Sequence, residues 1–414
     1  MQYIVAGAGP AGVVACETIR KLSPDASITL IGAEPEPPYS RMAIPYLLSE
    51  KIAEQGTHLR KTEGYYEQLN IKRLQQRISG IDASAKQLKL DNGESPDFDR
   101  LLLATGAIPI NPPIPGVDLE GVRHCWTLED AREIAARAKS GSSVVLMGAG
   151  FIGCIILESL VKRGVSLTVV ERGDRMVPRM MDDTAGNMLK QWCVDRGVRV
   201  LTSHSVTSIE AGEPLSVVLD SGESLSADLV ISATGVRSNI DYLQDSGIET
   251  DQGILVNGYL QTSHPAVYAA GDVAQGRDFS TGEFTVQAIQ PTAVEHGRVA
   301  ATNMVQDNTL EHQGSLNMNV LDTLGLISTS FGQWMGVTGG DSVCIVDRER
   351  YKYLNLQFKD DVLVGISSLG HTENIGVARG LIRGKVSLGQ WKGRLQKNPE
   401  RLMEAWLACS VGVA

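Results

Sequence analysis

Apolar positions in the first two-thirds of this chain come in short continuous runs, and several of the runs end in glycine. QYIVA, residues 2–6, leads into GAGPAG and then into a segment of helical periodicity, which predicts a strand, a turn at Gly7-x-Gly9-x-x-Gly12 and an amphipathic helix. ASITLIGAE predicts a second strand ending at Glu34. The device recurs in SSVVLMGAGFIGCIILESLVKRG, where Gly148, Gly150 and Gly153 stand between strand and helix, and SLTVVERGDR ends the next strand at Glu171. Residues 144–161 are almost wholly apolar and about as long as a membrane span. GAGFIG interrupts them and Glu158 lies among them, so strand, glycine turn and helix describe the run better.

Between the two units, DFDRLLLATGAIPINPPIPG reads as a strand ending at Ala104-Thr105-Gly106, then a proline-rich domain crossing. A parallel phrase, ADLVISATGVRSN with Thr234 and Gly235, follows the second unit, and LQTSHPAVYAAGDVA adds a strand ending at Gly271-Asp272. From about Leu321 the pattern changes to alternation, as in YKYLNLQF and VLVGISSLG around the polar turn at residues 359–361. The segments TENIGVARGLIRGK and NPERLMEAWLACS then read as helices. The fold class expected is α/β: two Rossmann-like dinucleotide-binding domains, one inserted in the other, plus a C-terminal α+β domain. The boundaries expected are 1–112 with 246–320, then 113–245, then 321–414.

In this order each glycine has a task. One makes the tight turn, one lets the backbone approach a pyrophosphate at the helix N-terminus, and one permits close helix–strand packing, while the acid at the second strand's end accepts ribose hydroxyls. Two such units predict two bound nucleotides.

Composition narrows the function classes. A 414-residue chain is long enough for two or three domains at roughly 150 residues each. A net charge of −10 without a block of Lys or Arg argues against nucleic acid and against an anionic membrane, and an acidic surface suits basic partners. Gln2 already sits in a strand pattern with no charged leader before it, so the cytoplasm is the expected location. The six cysteines form no CxxC pair and the seven histidines no HxxxH pair, so no metal site is expected.

Together GAGPAG with Glu34, LLLATG, GAGFIG with Glu171, ISATG, YAAGDVA and QPTAVEHGRVAATNM resemble the two-dinucleotide-binding flavoproteins, the pyridine nucleotide-disulfide oxidoreductases in the wide sense. The resemblance covers nearly the whole chain. It implies FAD on the first loop, with Gly7, Gly9, Pro10, Ala11, Gly12, Glu34, Thr105, Gly106 and Gly271 as its contacts. It places Asp272 on the ribityl chain and Pro291 to Gly297 by the isoalloxazine ring. It implies NAD(H) on the second loop, with Gly148, Gly150, Phe151, Ile152, Gly153, Glu171, Thr234 and Gly235. Glu171 would favour NADH by repelling a 2′-phosphate, while Arg172 and Arg175 nearby could accommodate one.

Two departures shape the functional expectation. Relatives that reduce disulfides, persulfides or peroxides carry a flavin-stacked cysteine in the segment that here reads Met42-Ala43-Ile44-Pro45-Tyr46, with Met42 in its place. Met42 and Tyr46 are expected near the ring, or Met42 in ordinary core; in either setting a thioether cannot become a thiolate. Tyr39-Ser40-Arg41 resembles the PYSR of the rubredoxin, ferredoxin and nitrite reductase flavoproteins, which implies Arg41 near the FAD pyrophosphate. Second, GFIGCI puts Ile155 where the family usually has a nicotinamide-contacting glutamate. Cys154, beside it, reads as small apolar packing rather than a reactive thiol.

The activity implied is FAD-dependent NADH:acceptor electron transfer with an iron–sulfur partner of ferredoxin or rubredoxin type. That partner includes the case of a subunit serving a carbon monoxide or 2-oxoacid (phenylglyoxylate-type) dehydrogenase. The alternatives are an NADH oxidase or CoA-disulfide/persulfide reductase, and a flavin-bearing structural subunit with a decayed NAD site. A homodimer or a hetero-oligomer is compatible with the resemblance.

Overall fold

The computed structural model describes residues 1–410. The chain forms two compact units, one of Met1–Ile108 with Val236–Ser315, the other of Pro109–Gly235 with the chain from Leu316. The breaks read from the sequence were 112, 245 and 320.

In the first unit five strands form a wholly parallel sheet in the order Val267–Ala269, Arg100–Leu103, Gln2–Ala6, Ser27–Gly32, Ile71–Gln75. Tyr3 pairs with Ile28 on one side and Arg100 on the other, so Gln2–Ala6 is central. Strands covered on both faces need apolar residues at successive positions, which is why QYIVA and LLL are continuous runs. Ile4, Val5, Leu30, Ile31, Leu101, Leu102 and Leu103 are all 1 % exposed or less. The Pro10–Leu22 helix packs on the Gln290–Gln306 helix, and a Cβ at Gly297 would lie 2.3 Å from the Ala11 carbonyl oxygen.

In the second unit the residue 144–161 run divides into the strand Ser143–Met147 and the helix Phe151–Lys162. Among the described residues no helix is long and apolar enough to cross a membrane. The strand lies in a second parallel sheet, ordered Arg199–Thr202, Ser166–Glu171, Ser143–Met147, Leu229–Ser232, Val122–Arg123.

The chain from Leu316 builds an antiparallel five-stranded sheet in the order Met318–Thr323, Leu326–Gly332, Val362–Leu369, Lys352–Lys359, Asp341–Asp347. The proposal of a third domain rests on that sheet. Asp360, at φ +54°, makes the turn expected at residues 359–361. The two expected helices are Ile375–Arg383 and Leu402–Ser410. A further helix, Gln390–Lys397, was not expected: it buries only Leu395, and so few apolar positions carry no helical period. Residues 411–414 of the expected third domain lie outside the described residues.

Gly297→Val places a branched side chain against Ala11 backbone and is expected to destabilise the protein by about 1–3 kcal/mol. Gly393→Ala, where an added Cβ meets nothing within 4 Å, is expected to be neutral or to stabilise by up to about 1 kcal/mol. Thermal melts of both variants check the contrast; equal effects would contradict the packing described.

Candidate functional site

The first glycine loop is shaped by backbone crowding on one side and open space on the other. Gly7 adopts φ +124°, and a Cβ there would fall 2.0 Å from the Ala104 carbonyl oxygen on the neighbouring strand's end. At Gly12 a Cβ would lie 1.9 Å from the Gly7 oxygen. Gly9 differs: a Cβ there meets nothing within 4 Å. Gly9 is the N-cap of the Pro10–Leu22 helix with no side-chain cap, and Pro10 stands in the first turn, where its missing N–H is no loss. The remaining orphan N–H groups suit an anion such as a pyrophosphate. Ala11 contributes by packing, its Cβ 3.4 Å from the Cβ position of Gly271.

Around this loop stands a set of charged and polar groups. Arg41 Nη2 donates to Glu34 Oε1 at 2.6 Å, and the Tyr39 hydroxyl donates to Glu34 Oε2 at 2.5 Å. The Arg41 guanidinium lies 5.7 Å from the Tyr39 ring centroid. Arg41 also acts on Asp272, in the short Gly271–Val273 turn. Burial raises the Asp272 carboxyl to about 6, and the Arg41 charge opposes that rise. Thr105 Oγ1 donates to the Asn239 carbonyl at 3.1 Å, and Gly106 faces open space at φ +70°. Pro291 opens the Gln290–Gln306 helix, whose Gln290 Oε1 accepts the Ser40 hydroxyl at 2.5 Å.

Within that helix His296 is buried, and its Nδ1 accepts the Gly271 N–H at 3.4 Å. Its Nε2 lies 3.0 Å from Ser315 Oγ. Burial, aided by His312, pushes the imidazole down to about 3. The ring is therefore neutral, with its proton assigned to Nε2 and donated to Ser315.

His296 falls within the Pro291 to Gly297 stretch expected by the ring, whereas Ser40 and Gln290 carried no expected role. The Ser40–Gln290 contact spans 250 positions and has no local signal. Met42 is 45 % exposed and Tyr46 52 %, so Met42 is not ordinary core.

The second loop repeats the first. Gly148 has φ +102°, and a Cβ there would lie 2.6 Å from the Ala233 oxygen; at Gly153 it would lie 2.1 Å from the Gly148 oxygen; at Gly150 it meets nothing. The Phe151–Lys162 helix also lacks a side-chain cap, and Phe151 and Ile152 are half-buried in its first turn. Glu171 does more than expected. Its Oε2 accepts the Ala149 N–H at 2.6 Å and its Oε1 the Gly173 N–H at 2.7 Å, so it holds the loop in shape. Thr234 Oγ1 donates to the Ile110 carbonyl at 3.2 Å, and Gly235 has φ +130°. Arg175 pairs with Asp183 at 2.6 Å and Asp174 at 2.8 Å, while Arg172 is exposed. Ile155 is half-buried, and Glu158 pairs with Lys162. Cys154 is fully buried, and desolvation pushes its thiol well above the ordinary value, which makes it inert.

The family model for pyridine nucleotide-disulphide oxidoreductases matches residues 1–297. The chain belongs to that family. As such it is an oxidoreductase whose cofactors are FAD and NAD(H). It is similar to the NADH-dependent phenylglyoxylate dehydrogenase subunit epsilon of Aromatoleum evansii, 33 % identical over 96 % of this chain and 95 % of the relative. It is also similar to an NADH oxidase of Methanocaldococcus jannaschii, 34 % identical over 73 % of this chain and 70 % of the relative. Among solved structures, the ferredoxin reductase for the CYP199A2 system of Rhodopseudomonas palustris superposes with a TM-score of 0.88 at 25 % identity, covering 98 % of this chain and 99 % of that one.

Both loops of this oxidoreductase fit a dinucleotide by the same test: an uncapped helix N-terminus beside a glycine whose missing side chain leaves room. Asp272 gives the cofactor-free protein a measurable signature. The folded chain holds its proton up to about pH 6, whereas the unfolded chain releases it near 3.8. The folded state therefore binds more protons between those values, and stability falls as pH rises through them. Asp272→Asn is expected to flatten that fall. Melting of the apoprotein from pH 4.5 to 7 checks it; an unchanged slope would contradict the assignment.

Proposed function

We propose that this chain is an FAD-dependent NADH:acceptor oxidoreductase exchanging electrons with an iron–sulfur protein, either a free ferredoxin- or rubredoxin-type carrier or the other subunits of a dehydrogenase. The observation that carries the proposal is Met42. It is an exposed thioether in the Tyr39–Tyr46 segment, where thiol-using relatives have their redox cysteine. Cys16, Cys125, Cys154 and Cys193 are buried with their thiols pushed up, so none supplies a thiolate in that role. The extended similarity to a subunit of an NADH-dependent dehydrogenase supports the same reading. The similarity to an NADH oxidase supports a second one, in which oxygen is the acceptor.

In this proposal the first loop holds FAD. The Pro10–Leu22 N-terminus faces the pyrophosphate, Glu34 takes the ribose, Arg41 neutralises phosphate charge and Asp272 accepts from the ribityl hydroxyls. The second loop holds NAD(H), with Glu171 accepting the adenosine ribose hydroxyls through lone pairs its two backbone donors leave open. A bound flavin takes two electrons from reduced nicotinamide and releases them one at a time. The chain's part is to position both cofactors and to exclude a thiol from the path. We place the protein in the cytoplasm, as a homodimer or a hetero-oligomer.

The purified protein is expected to be yellow, and NADH is expected to bleach its flavin about tenfold faster than NADPH, since Glu171 opposes a 2′-phosphate and Arg175 is held by Asp183 and Asp174. Stopped-flow reduction with the two nucleotides measures this. Absence of any reduction by NADH would point instead to a decayed nucleotide site around Ile155.

Met42→Leu and thiol alkylation are each expected to leave NADH-dependent reduction of an uncharged quinone within about twofold of the unmodified protein. Loss of turnover in either case would restore a sulfur-based mechanism. Fast oxygen consumption with no reduction of any iron–sulfur protein would favour the oxidase reading.

A further inference from the structure

Charge is distributed unevenly along this acidic chain. Between Arg379 and Arg401 stand seven cations (Arg379, Arg383, Lys385, Lys392, Arg394, Lys397 and Arg401) against the single Glu400, a local net of +6 in a chain of net −10. No two of these are adjacent, so the sequence shows no basic block; folding sets the two helices that carry most of them against a third. Arg379 and Arg383, four apart, lie on the exposed side of the Ile375–Arg383 helix, whose Ile375, Ala378, Leu381 and Ile382 are buried. Arg394 and Lys397, three apart, are exposed on Gln390–Lys397. The Leu402–Ser410 helix packs on both.

Some of this charge is already balanced. Lys392 pairs with Asp341, Arg401 Nε pairs with Glu404 at 3.2 Å, and Glu400 faces His371 at 3.7 Å. Asp361 binds the Ser387 hydroxyl at 2.5 Å and the Gly389 N–H at 3.3 Å. Arg379, Arg394 and Lys397 reach no carboxylate among the described residues. The face also has an apolar component. The Trp391 ring lies under Arg394 at 4.6 Å and Arg401 at 5.3 Å, while Leu407 is 58 % exposed and Met403 36 %.

We propose that these C-terminal helices form the docking face for an acidic iron–sulfur electron-transfer protein. The inference rests on the acceptor class proposed above and adds where on the chain that acceptor is recognised. Unpaired cations on a short surface attract an acidic protein over about a Debye length, ~8 Å at physiological salt, and speed productive encounter. Arg and Trp beside exposed Leu and Met match the composition of protein interfaces. A nucleic acid or an anionic membrane extends far beyond this patch and would meet the repulsion of the rest of an acidic chain. The patch therefore favours a compact acidic partner, in place of the basic partner that net charge alone suggests.

The test is the triple variant Arg379→Glu, Arg394→Glu, Lys397→Glu, with the triple Gln variant as a milder control. All three positions are exposed, and thermal melts verify folding. NADH-dependent reduction of an acidic [2Fe–2S] ferredoxin and of a rubredoxin is measured against ionic strength, alongside reduction of menadione, an uncharged acceptor. At low salt the charge-reversed variant is expected to reduce the iron–sulfur proteins at least about tenfold more slowly, and to lose the fall with salt shown by the unmodified protein. Menadione rates should stay within about twofold, and the Gln variant should lie between. If the unmodified protein reduces an iron–sulfur acceptor and the charge-reversed variant matches it at every salt concentration, the docking face is wrong and the acceptor class stands. If the unmodified protein reduces menadione but no iron–sulfur protein, the acceptor class fails and the docking face with it. Binding to duplex DNA or anionic vesicles that the triple variant abolishes, with iron–sulfur reduction intact, would overturn the proposal in favour of a polyanion site.

Discussion

Backbone touching backbone at two strand-to-helix turns is the constraint on which the rest of this molecule depends. At Gly7 and Gly12, and again at Gly148 and Gly153, an added Cβ would fall within 2.6 Å of a carbonyl oxygen. That closeness sets the angle at which each helix leaves its strand. It also brings the helix N-terminus, with its unsatisfied N–H groups, to the sheet's edge beside Gly9 or Gly150, where space is open. A methyl group at a crowded position would move the helix and close the anion site together.

Electrostatics then distinguishes the two otherwise similar loops. At the first, Glu34 is held by Arg41 and Tyr39, and Arg41 also tempers the raised Asp272 carboxyl, so one cation serves two acids beside a place suited to phosphate. At the second, Glu171 takes both partners from the backbone, tying the glycine loop to the following turn. The first arrangement fixes a positive charge beside the loop; the second uses its acid chiefly as a brace. The two acids occupy the same place in the motif and differ in what surrounds them.

The neutral His296 is a third kind of support. Charging it would require ionisation in a desolvated setting next to His312, so it acts as a fixed acceptor for Gly271 and a fixed donor to Ser315. This connection joins the Gly271–Asp272 turn to the long helix. It explains how a half-buried carboxylate keeps its place without a side-chain donor of its own.

The amino-acid sequence by itself determined the strands, the glycine turns, the two terminal acids and the absence of a cysteine at Met42, because each is local: a period, a fixed spacing or a residue type. The same locality explains what it left open. Ser40 meets Gln290 and His296 meets Gly271 only after distant segments pack. Met42 could lie by the ring or in ordinary core, and only the folded Tyr39–Tyr46 segment shows it exposed and so outside the core. Glu171 could serve a ribose, but only the folded loop shows it gripping Ala149 and Gly173. The Gln390–Lys397 helix buries a single leucine and so had no period to read. Its Arg394 meets Arg401, seven positions on, at the Trp391 ring only through packing with the Leu402–Ser410 helix. Tertiary structure decides such features because hydrogen bonds, burial and surface charge depend on distance in space, which local pattern does not encode.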